Sequence, residues 1–496
     1  MSTAVLPTPT LSDDDFVVAP KKKHKILWLS DHPLCPSGVG VQSRFLIEGL
    51  LKTGNYSFRC LGGAIKHQNY DTIAANEDFI IKPVDGFGTH DMIRQILLTE
   101  RPDAMVLFTD PRQFTWLWEI EDEIRQICPI AYWHVWDNDP YPAFNSVWYE
   151  STDLINCLSK KTYDLIKPNF PEKTNYIPHA FPEHVYYQLP DEFLKDLRKQ
   201  KFGPNADWFI GLWVNRNATR KMPNDVLNAW KLFLDNLEKE EGHRKALLIM
   251  HTDPVDNEGP NLLAVSEMLG LKGNVAFSTQ KVEFPDMNVL YNLADFNINI
   301  SKAEGFGLST LISMQVGKPI IASYTGGHIH QVINHNTGFE HGVAVKPTAR
   351  SMVGSQMVPY IYDDHVNFED VAAGMMKLYK MGPEGRAEIG KQAKQYVAEE
   401  FGYEKMVSEW DRTLSGCINN FKTNKPARWS ASRLQSFAPE KLMPPNKQAV
   451  PLEASAGTHQ SLSMKQATEA MQPLDLTKIA GVTTGRKQPK SKGKGK

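Results

Sequence analysis

Cysteine is scarce in this chain: Cys35, Cys60, Cys128, Cys157 and Cys417 are scattered through 496 residues and odd in number. That pattern excludes a disulfide framework and a Cys/His metal cage, and it fits a reducing, cytoplasmic compartment. No apolar run is long enough to cross a bilayer as a helix. The first twenty residues lack a charged-then-apolar pattern, so no secretory leader is expected. Also missing are a Gly-Lys-Ser/Thr phosphate loop, a His-Glu-x-x-His zinc motif and a Gly-x-Ser-x-Gly elbow, which removes three large enzyme classes.

Net charge is small, −2 overall, but it is unevenly spread. Residues 419–496 hold 14 Lys/Arg against 4 Asp/Glu, a net +10, so residues 1–418 carry −12. An acidic body argues against broad binding of a phosphate backbone, because such binding is driven by Lys and Arg neutralising phosphates. The remaining composition, 41% hydrophobic and 23% charged, is that of a folded globular protein.

Short apolar runs alternate with helical patterns in two blocks. The first block has strand-like runs at 26–30, 104–108, 130–133 and 154–158, and a Pro/Gly/Ser loop at 31–40 leads into a helix. The second has runs at 208–214, 246–250, 274–277, 296–300 and 319–322. This alternation predicts an α/β protein with two Rossmann-like parallel-sheet domains facing a cleft. The expected division is a disordered tail 1–24, a first domain 25–185, a linker 186–207 and a second domain 208–395. A helix at 396–418, returning to the first domain, and a basic low-complexity tail 419–496 follow.

Four segments carry chemistry. The run at 296–300 leads into Ser301-Lys-Ala-Glu304-Gly305-Phe306-Gly307-Leu308 and then a helix, where free amides and the helix dipole favour a phosphate. A second glycine loop, Gly326-Gly327, follows on the same sheet edge. In Val214-Asn-Arg216-Asn-Ala-Thr-Arg220-Lys221, Arg216 and Lys221 are placed to converge on a diphosphate, with Arg220 the alternative cation. Pro36-Ser-Gly38-Val-Gly40-Val-Gln-Ser43 lacks the last glycine of a dinucleotide fingerprint, which weakens a nicotinamide oxidoreductase reading. Trp133-His134-Val-Trp-Asp137-Asn-Asp139 offers a histidine for the cleft and an Asp-x-Asp pair that also reads as a metal motif. The two-block architecture disfavours that motif, so no obligatory metal or cofactor is expected. His251-Thr-Asp-Pro254 ends a strand and is a further candidate for the cleft wall.

Glu304-Gly-Phe-Gly-Leu308, with Met314, Gly317-Lys-Pro319 and Gly326-Gly327, resembles the donor-binding signature of the retaining glycosyltransferases of family 4, which have the GT-B fold. The resemblance spans about residues 25–415. It implies that Glu304 binds the donor's ribose, that the amides of Gly305 to Leu308 hold phosphate, and that Arg216 and Lys221 stabilise the leaving diphosphate. It also implies that Gly38, Gly40 and His134 approach the donor and acceptor, and that Ser301 belongs to the donor site. Ile177-Pro-His-Ala-Phe181 is similar to the family's domain-closing turn and reads as structural. One departure is Ile312, where the pattern has a second glutamate. The expected activity is sugar transfer from a nucleoside-diphosphate sugar to a glycan, protein, small-molecule or modified nucleic-acid hydroxyl. The alternative is a non-catalytic nucleotide-sugar or glycan-binding protein of the same fold.

Overall fold

In the computed structural model, residues 22–424 are described, together with 434 and 436. The expectation of disordered ends concerns 1–24 and 419–496, nearly all of which lies outside those residues. Within them β1 begins at His24, and the last helix runs past 418 to Thr423.

The first sheet comprises β1 (His24–Asp31), β2 (Tyr56–Gly63), β3 (Ile73–Asn76), β4 (Phe79–Pro83), β5 (Ala104–Thr109), β6 (Ile130–His134), β7 (Leu154–Cys157) and β8 (Thr174–Tyr176). Its order is β3-β4-β2-β1-β5-β6-β7-β8, with every pairing parallel except β3 with β4. Ile26, Leu27, Trp28 and Leu29 are all fully buried, because helices cover both faces of a parallel sheet. The second sheet holds β9 (Phe209–Val214), β10 (Ala246–His251), β11 (Val275–Ser278), β12 (Phe296–Asn299), β13 (Ile320–Ser323) and β14 (Gly342–Val345). It is wholly parallel in the order β11-β10-β9-β12-β13-β14, the doubly wound arrangement whose order reverses between β9 and β12. These are the two Rossmann-like domains of a GT-B fold. An antiparallel hairpin of β15 (Ala349–Val353) and β16 (Ile361–His365) is added to the second.

The segment read as a linker, 186–207, contains a helix, Asp191–Phe202. Its Leu194 and Leu197 pack with Val289 and Leu293 of the helix Phe284–Leu293, so that half of the segment is docked on the second domain. After the helix Gly382–Glu400 the chain turns at Gly402, and the helix Tyr403–Thr423 lies on the first domain. Its buried side chains recur at helical spacing (Tyr403, Met406, Val407, Trp410, Leu414, Ile418, Phe421), giving one apolar stripe. Trp410 completes a cluster with Trp28 and Trp133 at ring distances of 6.2 and 5.2 Å. Tyr403 donates its hydroxyl to the Phe45 carbonyl at 2.7 Å, and Tyr56 donates to the Asp411 carboxylate at 2.6 Å. Burying aromatic rings of this size stabilises by roughly 1.5–3 kcal/mol each.

Candidate active site

A cleft of about 940 Å³ opens between the domains, beyond the carboxyl ends of both sheets. Its core is built by two loops that leave neighbouring strands at the β9/β12 reversal. One is the turn Thr219–Lys221 after β9, and the other is the loop 300–307 after β12. Two hydrogen bonds join the loops: Lys302 N–H donates to the Arg220 carbonyl at 2.9 Å, and the Arg220 guanidinium donates to the Ala303 carbonyl at 3.2 Å.

Lys221 and Glu304 form a salt bridge with both side chains largely buried. Burial pushes the Glu304 carboxyl up, but Lys221, Arg220 and His328 outweigh it and hold its pKa down to about 2. Burial lowers the Lys221 pKa in turn, and the Glu304 charge works against that. Ser301 is fully buried and does not face the cleft. Its hydroxyl, bonded to Asn299 at 2.6 Å, lies 3.3 Å from Glu304 and orients that carboxylate.

The Gly305, Phe306, Gly307 and Leu308 positions all line the cleft. Gly307 has φ +94°, and a Cβ there would stand 2.5 Å from the His328 ring. The helix Leu308–Gln315 starts directly after it without a side-chain cap, so its first amides and dipole remain available to an anion. Gly326 and Gly327 allow the second glycine loop to touch the first. Cβ atoms there would stand 2.1 Å from the Glu304 carbonyl and 2.4 Å from the Phe306 backbone.

Besides Ser301, two candidates, His134 and Gly40, lie off the cleft, and a third, Arg216, lines it with its charge already engaged. His134 is fully buried, bonded through Nε2 to the Tyr149 hydroxyl at 2.8 Å, and burial drives its pKa to about 3. Alternation along β6 puts it with Tyr132 on the sheet face away from the cleft, and Val135 and Asp137 beyond the strand line the cleft. Arg216 reaches the cleft rim, but its exposed guanidinium is clamped by Asp256 at 2.9 Å and Glu258 at 3.0 Å. Arg220 is instead the second cation that acts on Glu304, after Lys221. Burial opposes its charge, and the Asp137 and Glu304 carboxylates more than restore it. Gly40 does not line the cleft. It allows a tight turn in which a Cβ would strike the His32 carbonyl at 2.6 Å, whereas Gly38 does line the cleft and faces Leu308.

The sequence reading missed His179. It sits in the turn taken as structural, lines the cleft, packs 5.0 Å from the Phe306 ring, and has no partner for Nδ1 among the described residues. Also missed were Asp31, whose carboxylate accepts from Ser37 at 2.6 Å, and the loop 278–283 at the other end. A polar loop after a strand gives no signal of its own. His251, Thr252 and Asp253 line the cleft as expected, and so does Ile312. The Asp-x-Asp carboxylates are engaged separately, Asp139 by Lys161 at 2.7 Å and Asp137 beside Gly305.

Residues 212–358 match the family described as Glycosyl transferases group 1. Among relatives, N-acetyl-alpha-D-glucosaminyl L-malate synthase of Bacillus anthracis is 22% identical over 56% of this chain and 63% of its own length. The lipopolysaccharide glucosyltransferase WaaG of Escherichia coli is 24% identical over 40% of this chain and 51% of its own. The chain thus spans about half to under two thirds of these relatives. Sucrose-phosphate synthase from Thermosynechococcus elongatus superposes with TM-score 0.60 at 15% identity, covering 80% of this chain and all of that one. Anabaena HepE in complex with UDP and glucose gives 0.58 at 16%, covering 79% and 100%. At these identities the structural likeness establishes the GT-B fold.

Proposed function

We propose that this chain, a GT-B protein of the group 1 glycosyltransferases, moves a sugar from a nucleoside-diphosphate sugar to an acceptor hydroxyl with retention at the anomeric carbon. The observation that carries this reading is that Lys221, Arg220 and the start of the Leu308 helix all line one interdomain cleft, with the ionised Glu304 among them. Two cations and a helix N-terminus suit an anionic leaving group whose charge grows as the bond breaks.

In this mechanism the bond from the anomeric carbon to the diphosphate oxygen breaks, and Lys221, Arg220 and the helix amides take up the released charge. The acceptor oxygen bonds to the same carbon, and its proton passes to the departing phosphate. No protein nucleophile is required. Glu304, acceptor-only when ionised, receives a hydrogen bond from a donor hydroxyl, the ribose being the one that the family resemblance implies. Ile312 makes the neighbouring floor apolar. UDP-glucose is the first donor to test, because HepE was crystallised with UDP and glucose. The acceptor is a glycan, protein, small molecule or modified nucleic acid. Five free cysteines support a reducing, cytoplasmic setting.

The test is donor hydrolysis and transfer with a panel of nucleotide sugars, using Glu304→Ala and Arg220→Ala as controls. Turnover of one donor that falls in both variants supports the reading. Tight nucleotide binding without turnover of any donor would favour the non-catalytic binding protein instead.

A further inference from the structure

The loop after β6 crosses from the first domain to the second and is fastened there by buried groups. Asn138, 1% exposed, donates its amide to the Asp364 carboxylate and to the Tyr362 carbonyl, each at 2.9 Å. Tyr362 N–H donates to the Asp139 carbonyl at 2.9 Å. Asp364, in β16, has a side chain only 1% exposed and is the hub of this arrangement. It accepts from Arg350 at 2.6 and 3.2 Å and from Thr325, just before the glycine loop, at 2.6 Å. Burial opposes its charge, and these donors outweigh that and lower its pKa. One carboxylate therefore ties together the hairpin, the Gly326-Gly327 loop and the first domain.

The fastening has a consequence at the cleft. Asp137, next to Asn138, places Oδ1 2.9 Å from where a Cβ of Gly305 would be, and Oδ2 4.0 Å from the Arg220 guanidinium. A first-domain carboxylate thus rests on the loop of the second domain that lines the donor pocket. Phosphate is a poor partner for a carboxylate, and the nearby cations already serve phosphate. Neutral hydroxyl donors are the partners that suit it.

We propose that Asp364 is a positioning residue that clasps the 137–139 loop to the second domain, so that Asp137 accepts hydrogen bonds from hydroxyls of the donor's sugar. This rests on the nucleotide-sugar reading above. A buried, fully bonded hub holds such a contact more precisely than an exposed loop does.

The experiment compares Asp364→Asn, Asn138→Ala and Asp137→Asn with the native full chain, using UDP-glucose and UDP as probes. Each variant is first checked for native circular dichroism, and Arg350→Lys serves as the conservative hub variant. The expected result is a KM for UDP-glucose raised about fivefold or more, the worth of one lost hydrogen bond, with UDP affinity unchanged within about twofold. Fluorescent labels on the two domains should show a broadened interdomain distance in Asp364→Asn and Asn138→Ala, and a native one in Asp137→Asn and Arg350→Lys. Equal weakening of UDP and UDP-glucose, or an unchanged KM with an unchanged distance, overturns the proposal. If Glu304→Ala leaves UDP-glucose binding intact, the donor-site reading fails instead, and the distance measurement alone decides the clasp.

Discussion

Lys221 and Glu304 pair across the point where the second sheet reverses its strand order, each carried by one of the two loops that diverge there. Removing Lys221 leaves Glu304 buried without its salt-bridge partner, with Arg220 as the main remaining cation to offset its charge. Lys221→Ala is expected to destabilise the fold by roughly 3 kcal/mol, whereas Lys221→Met with Glu304→Leu costs less. Urea denaturation of both variants beside the native chain checks this, and both variants should lose transfer activity.

The same pair makes stability depend on acid. Glu304 titrates at about 2 in the folded protein against an ordinary 4.5, so its folded pKa is depressed. Its contribution is complete above 4.5 and is lost as pH falls from there toward about 2. Denaturation midpoints followed from about pH 6 to pH 3 should decline more steeply in the native chain than in Glu304→Gln. Parallel curves would refute the assignment.

Arg220 and Arg216 should separate cleanly. Arg220 acts on Glu304, and its loss is expected to lower kcat/KM for the donor by about a hundredfold, the effect of deleting one stabilising donor. Arg216 is held at the rim by Asp256 and Glu258, and Arg216→Ala should cost less than about threefold. Steady-state kinetics on the two variants would reveal a reversed order.

Gly307→Ala meets both a positive φ and the His328 ring. The strained backbone alone costs on the order of 1–3 kcal/mol, and the clash displaces either His328 or the start of the Leu308 helix. A lowered Tm together with weakened UDP binding is expected. Gly242→Ala, with positive φ and no neighbour within 4 Å, should lower Tm while leaving UDP binding native.

Trp410→Ala should cost roughly 3–5 kcal/mol, the usual range for an aromatic core side chain. It opens a hole between Trp28 and Trp133. Thermal denaturation measures the loss, which would be small if the C-terminal helix contributed little to the first domain.

The architecture was legible because parallel strands are buried on both faces and appear as uninterrupted apolar runs, such as Ile26–Leu29 and Ile320–Ala322. β2 was passed over because Ser57 and Arg59 interrupt its run, and the β15–β16 hairpin because all five residues of β15 are exposed and carry no burial pattern. The donor loop could be located from glycines that must touch other backbone. Side-chain direction could not: His134 ends β6 fully buried, whereas Val135, one step beyond the strand, lines the cleft. The choice between Arg216 and Arg220 depended on Asp256 and Glu258, about forty residues away, which local spacing does not encode. Asp137-Asn-Asp139 looked like a metal motif because the group that fastens its middle residue, the Asp364 carboxylate bonded to Asn138, is over two hundred residues downstream.

The Trp28–Trp133–Trp410 cluster also constrains the order in which the protein can be made. Two of its rings are translated early and the third only near residue 410, after the entire second domain. A nascent first domain therefore waits on the ribosome with an apolar face uncovered until the last helix emerges. Cutting the chain at the apparent domain boundary would leave that face open, making the first half prone to aggregate by itself.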